Sequence, residues 1–214
     1  MTSELNFIDL LLQAGISIVA IGALSVLAVA VALERFWTFM PQNIAPPDLV
    51  PRFLEHWRAS DLSGARALVA DHPSVLGQVL AYLLQHRDRP VATLSVRAGE
   101  MASLALRRHQ RKAYPLVVVS TVAPLVGLLG TVIGMIEAFH VIATAGGLGD
   151  PTQLAGGISK ALVNTAAGLA VALPALALHH WFKHRLTGVG LRLEADVNQV
   201  LDALVTPVEA ARAG

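Results

Sequence analysis

Three uncharged apolar runs, residues 10–33, 113–136 and 161–182, punctuate an otherwise mixed chain. Each is roughly as long as the 20 or so residues a helix needs to cross the hydrocarbon of a bilayer. Each therefore predicts a transmembrane helix. The segments between them predict further helices. Residues 50–59 alternate apolar and polar positions with helical period. Asp61 is placed to cap a helix through Ala70, Pro73 to open one through Gln85, and Pro90 to open a longer one through Ala113. Pro41, Pro46, Pro47 and Pro51 break the chain after the first run. The tail from His184 to about Val205 mixes Leu191, Leu193, Val197, Val200, Leu201 and Leu204 with charges, which predicts an amphipathic helix. No strand-like alternation, internal repeat or low-complexity stretch competes with this reading.

The expected fold is an all-α integral membrane protein with three transmembrane helices extended into the cytoplasm. Its divisions are a first span in 1–40, a helical segment in 41–112, a second span in 113–145, a turn at 146–151, a third span in 152–184 and a last helix in 185–214. The second run differs from a plain lipid-facing helix. Ser120, Pro124, Gly127, Thr131, Gly134 and Ala138 fall on one face at 3.6 residues per turn. In a membrane, small faces let helix backbones approach closely. Pro124, Gly127, Gly130 and Gly134, with Gly168 and Pro174 in the third run, are thus the expected packing residues.

Composition agrees with a membrane protein: 54% of the 214 residues are hydrophobic and 14% charged. The net charge of +1 hides an asymmetry. Of the 16 lysines and arginines, all but Lys160 and four in the tail (Lys183, Arg185, Arg192, Arg212) lie between Arg35 and Lys112. Positive residues favour the cytoplasmic side, which predicts an external N-terminus and a cytoplasmic C-terminus. Basic clusters at membrane ends suit anionic lipid, not nucleic acid. With no cysteine there is no thiol chemistry or disulfide. Ala28-Val29-Ala30 looks like a signal-peptidase site, but the acidic lead (Glu4, Asp9) and the long run read as an uncleaved span. Ser3 or Asn6 is placed to cap that span, and Trp37 to anchor its inner interface.

The second and third spans predict a hairpin, so equal rise along its arms matches depths. With the midpoint at Leu148–Gly149, Thr131 lies level with Asn164 and Thr165, and Glu137 level with Lys160. Charges in a span pair or face a cavity. Glu137 and Lys160 are expected to approach each other, within one chain or between neighbours, or else to snorkel to the interface. The two threonines either bond their own helix backbones or line something polar.

Other chemistries are weaker. Gly147-Leu148-Gly149-Asp150 matches the Gly-x-Gly-Asp of intramembrane aspartyl proteases, but that reaction needs two facing aspartates, and Asp150 reads as a turn or cap. His179 and His180 are adjacent, about 100° apart on a helix, and read as interface residues, not metal ligands. No cofactor site is evident. A passive scaffold remains open, and predicts that both threonines tolerate alanine.

The stretches 123–135 (Ala-Pro-Leu-Val-Gly-Leu-Leu-Gly-Thr-Val-Ile-Gly-Met) and 157–170 (Gly-Ile-Ser-Lys-Ala-Leu-Val-Asn-Thr-Ala-Ala-Gly-Leu-Ala), followed by Pro174 and preceded by Glu34-Arg35, resemble the motifs of the MotA/TolQ/ExbB proton-channel family. Three spans with a large first cytoplasmic loop resemble its ExbB and TolQ branch. The resemblance implies a homo-oligomeric ring, a pentamer, around an ExbD- or TolR-like single-span partner, working with a TonB- or TolA-like protein. It implies that Thr131 and Thr165 face the pore with Asn164 at their level, and that Gly127 and Gly134 leave room for the partner helix. It implies no enzyme activity. Lys160 stands where the family often carries an acid, and Asn164 where a small apolar residue is frequent; Glu137 is the candidate neutraliser of that lysine.

Overall fold

The computed structural model describes residues 16–38, 43–144 and 151–212. Every regular element among them is an α-helix: α1 (Ile16–Thr38), α2 (Leu49–Arg58), α3 (Leu62–Ala70), α4 (Val75–Gln85), α5 (Val91–Lys112), α6 (Tyr114–Thr144) and α7 (Pro151–Arg212). The acidic lead with Ser3 and Asn6, Pro41, and the Gly147–Asp150 turn lie outside the described residues. Three helical stretches, Ile16–Trp37, Val91–Thr144 and Leu154–Leu204, are long and apolar enough to cross a membrane. Their large side chains stay exposed in the isolated chain. Ile16 (84%), Leu125 (60%), Ile136 (62%) and Leu173 (63%) are examples. Water would not tolerate so continuous an apolar surface, whereas lipid covers it without penalty. This is the build of an integral membrane protein.

Contacts divide the chain into two units. The first comprises α1 up to Glu34 together with Ala113–Trp181; the second comprises Arg35–Lys112 and the chain from Phe182 onward. Residues 41–112 and the tail, distant in sequence, share the core of this second unit. Its members include Phe53, Leu76, Leu80, Leu83, Leu94, Leu193 and Val200, each at most 1% exposed. The Trp57 indole also donates to the Ala203 carbonyl at 3.3 Å. The tail's periodicity is realised in Leu193, Val197, Val200, Leu201 and Leu204, all buried; Leu191, on the other side of the helix, is 64% exposed.

Local chemistry explains the short helices. Asp61 caps α3 by accepting from Gly64 N at 2.9 Å. Ser63 donates to the same carboxylate at 2.6 Å, and His56 Nδ1 lies 3.0 Å from its other oxygen. The Ser63 bond, then the Gly64 and His56 bonds, pull the Asp61 carboxyl down to about 2. At the next start the cap is Ser74, accepting from Gly77 N at 3.0 Å, and not Pro73. A hydroxyl satisfies an orphan N–H, which proline one residue earlier does not.

α2 ends in a Schellman arrangement. Ser60 N donates to Trp57 O at 3.0 Å and Asp61 N to His56 O at 2.9 Å, with Ser60 at φ 58°. A side chain in that left-handed conformation costs about 1–2 kcal/mol. Ser60→Gly is expected to stabilise the second unit by about 1 kcal/mol. The check is amide exchange across 55–65 in the intact protein, which slows if the strain is real and stays unchanged if it is not.

The third span and the last helix, expected as two elements, form one α7 of 62 residues. Gly188 and Gly190 permit a break, but the apolar stripe continues through Val189, Leu193 and Val197. Burial of that stripe outweighs the weak local preference of glycine.

Candidate functional site

Within the first unit, α6 and α7 run antiparallel with almost no side-chain material between them. The buried stripe of α6 includes Ala123, Gly127, Gly130, Gly134 and Ala138. That of α7 includes Ala161, Asn164, Gly168 and Ala172. A β-carbon on Gly168 would stand 2.6 Å from Ala123 O; one on Gly127 would stand 2.7 Å from Asn164 O. One on Gly157 would meet Ala138 Cβ at 2.5 Å. At 127 and 168 glycine is required because backbone lies where a side chain would be, and at 157 because the Ala138 methyl lies there. The small face foreseen on α6 therefore exists, with its centre shifted. Gly130 belongs to the seam, while Thr131, Pro124 and Ser120 lie at its half-buried edge. Pro124 leaves no N–H to bond Ser120 O, and Ser120 Oγ donates back to Val117 O at 2.9 Å.

The depth-matched residues meet. Thr131 Oγ1 lies 3.4 Å from Thr165 Oγ1, and Thr165 Oγ1 donates to Gly127 O at 3.4 Å. Thr131 Oγ1 also donates to Leu128 O on its own helix. A separation of 3.4 Å is at the long limit of a hydroxyl bond. Neither hydroxyl is locked to the other. Their protons point to backbone carbonyls, which leaves oxygen lone pairs to accept from a water or a hydrated proton. Thr131 thus bonds the backbone of its own helix, and Thr165 that of the facing one.

Asn164 differs from its neighbours. It is 1% exposed, and its Cβ and Cγ would lie 2.8 Å from a β-carbon at Gly130. The amide fills the seam instead of lining an open surface, so it sets the spacing of the helices at the threonine level. Toward the C-terminal end of α6 and the N-terminal end of α7, Lys160 Nζ lies 3.3 Å from Glu137 Oε2, with side chains 32% and 59% exposed. Pro174 lies in the exposed surface of α7, away from the seam. His179 and His180 pack edge to face at 5.6 Å between ring centroids. No group of three or more His, Cys, Asp or Glu that would hold a metal occurs among the described residues.

Residues 73–195, which hold the whole seam and both polar pairs, match the model of the MotA/TolQ/ExbB proton channel family. The chain belongs to that family. Among individual relatives, biopolymer transport protein ExbB-like 1 of Synechocystis is 33% identical over 180 residues, 82% of this chain and 70% of its own. Biopolymer transport protein exbB1 of Vibrio cholerae is 36% identical over 154 residues, 64% of this chain and 65% of its own. The Tol-Pal system protein TolQ of Haemophilus influenzae is 28% identical over 225 residues, 96% of this chain and 95% of its own. The branch is thus ExbB/TolQ, and the MotA/TolQ/ExbB family is one of channels, not of enzymes.

Proposed function

We propose that the chain is the channel-lining stator subunit of an ion-driven motor in a bacterial inner membrane, with the proton as its ion. Several copies, five on the family pattern, form a ring around a single-span partner of the ExbD or TolR kind. The N-terminus lies outside and the basic 41–112 segment and the tail lie in the cytoplasm beside anionic lipid, as the charge asymmetry supports. Force passes through a TonB- or TolA-like protein toward the outer membrane. The observation that carries the reading is the half-exposed Thr131–Thr165 hydroxyl pair in the middle of two apolar helices, beside a seam of glycines. Oxygen lone pairs there relay a proton or hold a water without changing charge. The family resemblance to ExbB-like proteins favours energising outer-membrane transport. A second reading, a Tol-type envelope role, is supported by the near full-length match to a TolQ.

The test is ion flux into proteoliposomes holding the protein with its co-purifying small partner. Thr131→Val plus Thr165→Val keeps shape and removes both hydroxyls. Flux is expected to fall at least tenfold while native mass shows an intact ring. Undiminished flux from that ring would leave the scaffold reading in its place.

A further inference from the structure

The two polar pairs lie on opposite flanks of the α6–α7 seam. Thr131 follows the buried Gly130 by one residue, and Thr165 follows the buried Asn164 by one. Glu137 precedes the buried Ala138 by one, and Lys160 precedes the buried Ala161 by one. One residue is about 100° of helix, so one step after the stripe and one step before it emerge on opposite sides. Both stripes stay narrow over this length, so the sides do not exchange between the two levels. Antiparallel helices bring like steps together, in agreement with the 3.4 Å hydroxyl contact on one flank and the 3.3 Å ionic contact on the other.

We infer that the Glu137–Lys160 pair lies outside the ion path and acts as a positioning clasp that holds the turn end of the hairpin closed. This rests on the reading that the hydroxyl flank lines the path. It removes the difficulty of a lysine beside a cation route, because Lys160 then faces away from the route. The clasp stands beside the part of the seam where a β-carbon on Gly157 would stand 2.5 Å from Ala138 Cβ and one on Gly134 3.2 Å from Ala161 Cβ. Its two arms cross the outside of that contact, and closure there fixes the register that keeps Thr131 opposite Thr165 about one and a half turns further in. Charge in a span is tolerated when it is paired, so the clasp works equally well with its signs exchanged. A path-lining carboxylate would not.

The experiment uses the complete complex in proteoliposomes. Glu137→Gln, Lys160→Met and the exchange E137K with K160E are compared for ring recovery by native mass and for flux per assembled ring. The single variants are expected to lower ring recovery several-fold, and the exchange to restore it, with flux per ring within about twofold of wild type throughout. A change beyond twofold in flux per ring that the exchange does not reverse would place the pair in the path and overturn the inference. Should single variants yield no ring at all, the exchanged protein decides on the same criterion. A second readout is direct, because the chain has no cysteine. Thr131→Cys is expected to react with a water-soluble thiol reagent in the assembled ring and Glu137→Cys to resist it; reaction at both also overturns the inference. Loss of flux in the threonine double variant, scored in parallel, keeps failure of this inference separate from failure of the channel reading.

Discussion

Gly168→Leu is expected to abolish the ring and its flux together. A β-carbon at 168 would stand 2.6 Å from Ala123 O, 3.2 Å from Gly127 Cα and 3.3 Å from Ala123 C. All three are backbone atoms, so no rotamer change relieves the conflict. Ordinary contact needs the helices to separate by several tenths of an ångström for alanine alone. Overpacking of that kind costs about 1–3 kcal/mol, and leucine adds three more carbons in the same place. Separation also breaks the 3.4 Å contacts of Thr165 with Thr131 and Gly127. The measurement is native mass of the purified complex plus flux. Gly188→Ala is the control, because nothing lies within 4 Å of its β-carbon. An assembled, conducting Gly168→Leu ring would mean that the seam is looser than described.

The second large effect belongs to the second unit. Phe53 is 1% exposed and among the largest fully buried side chains. Phe53→Ala leaves a cavity and is expected to cost about 3–5 kcal/mol. At 1.4 kcal/mol per tenfold, amide exchange through α2, α3 and α4 should accelerate by roughly a hundredfold or more. Val96→Ala, at a site 62% exposed, should change exchange little. Exchange mass spectrometry on the intact complex reads both. Equal behaviour of the two variants would remove Phe53 from the core.

Much of the hairpin was legible in the sequence because membranes impose simple rules. Run length placed the spans, and equal rise along antiparallel arms paired Thr131 with Thr165 and Glu137 with Lys160. The small residues announced a close contact. Periodicity put Thr131 on the same face as Gly127 and Gly134, whereas the structure buries Gly130 with those glycines and leaves Thr131 half-buried at the edge. A threonine and a glycine are both acceptable on a small face, and only the partner's backbone, reaching to within 2.7 Å of a β-carbon at Gly127, separates them. Asn164 was grouped with the hydroxyls by depth, since depth carries no information about which way a residue points. The unity of α7 was hidden because the apolar run gives way to charge near His184 and Arg185, and a change of polarity marks the end of a span without ending a helix. The shared core of 41–112 with the tail was hidden because its contacts, such as Trp57 with Ala203, span 146 positions.

The crowding of Asn164 over Gly130 ties the histories of the two positions. A methyl group at 130 would sit 2.8 Å from two carbons of the asparagine. Gly130→Ala is therefore harmful while asparagine occupies 164, and stays so with serine or alanine there, whose own β-carbon keeps the 2.8 Å conflict; only glycine at 164 clears it. Shrinking 164 first opens a small void but creates no clash, whereas enlarging 130 first creates one. Evolutionary drift at this seam thus has a direction: 164 moves first and 130 follows.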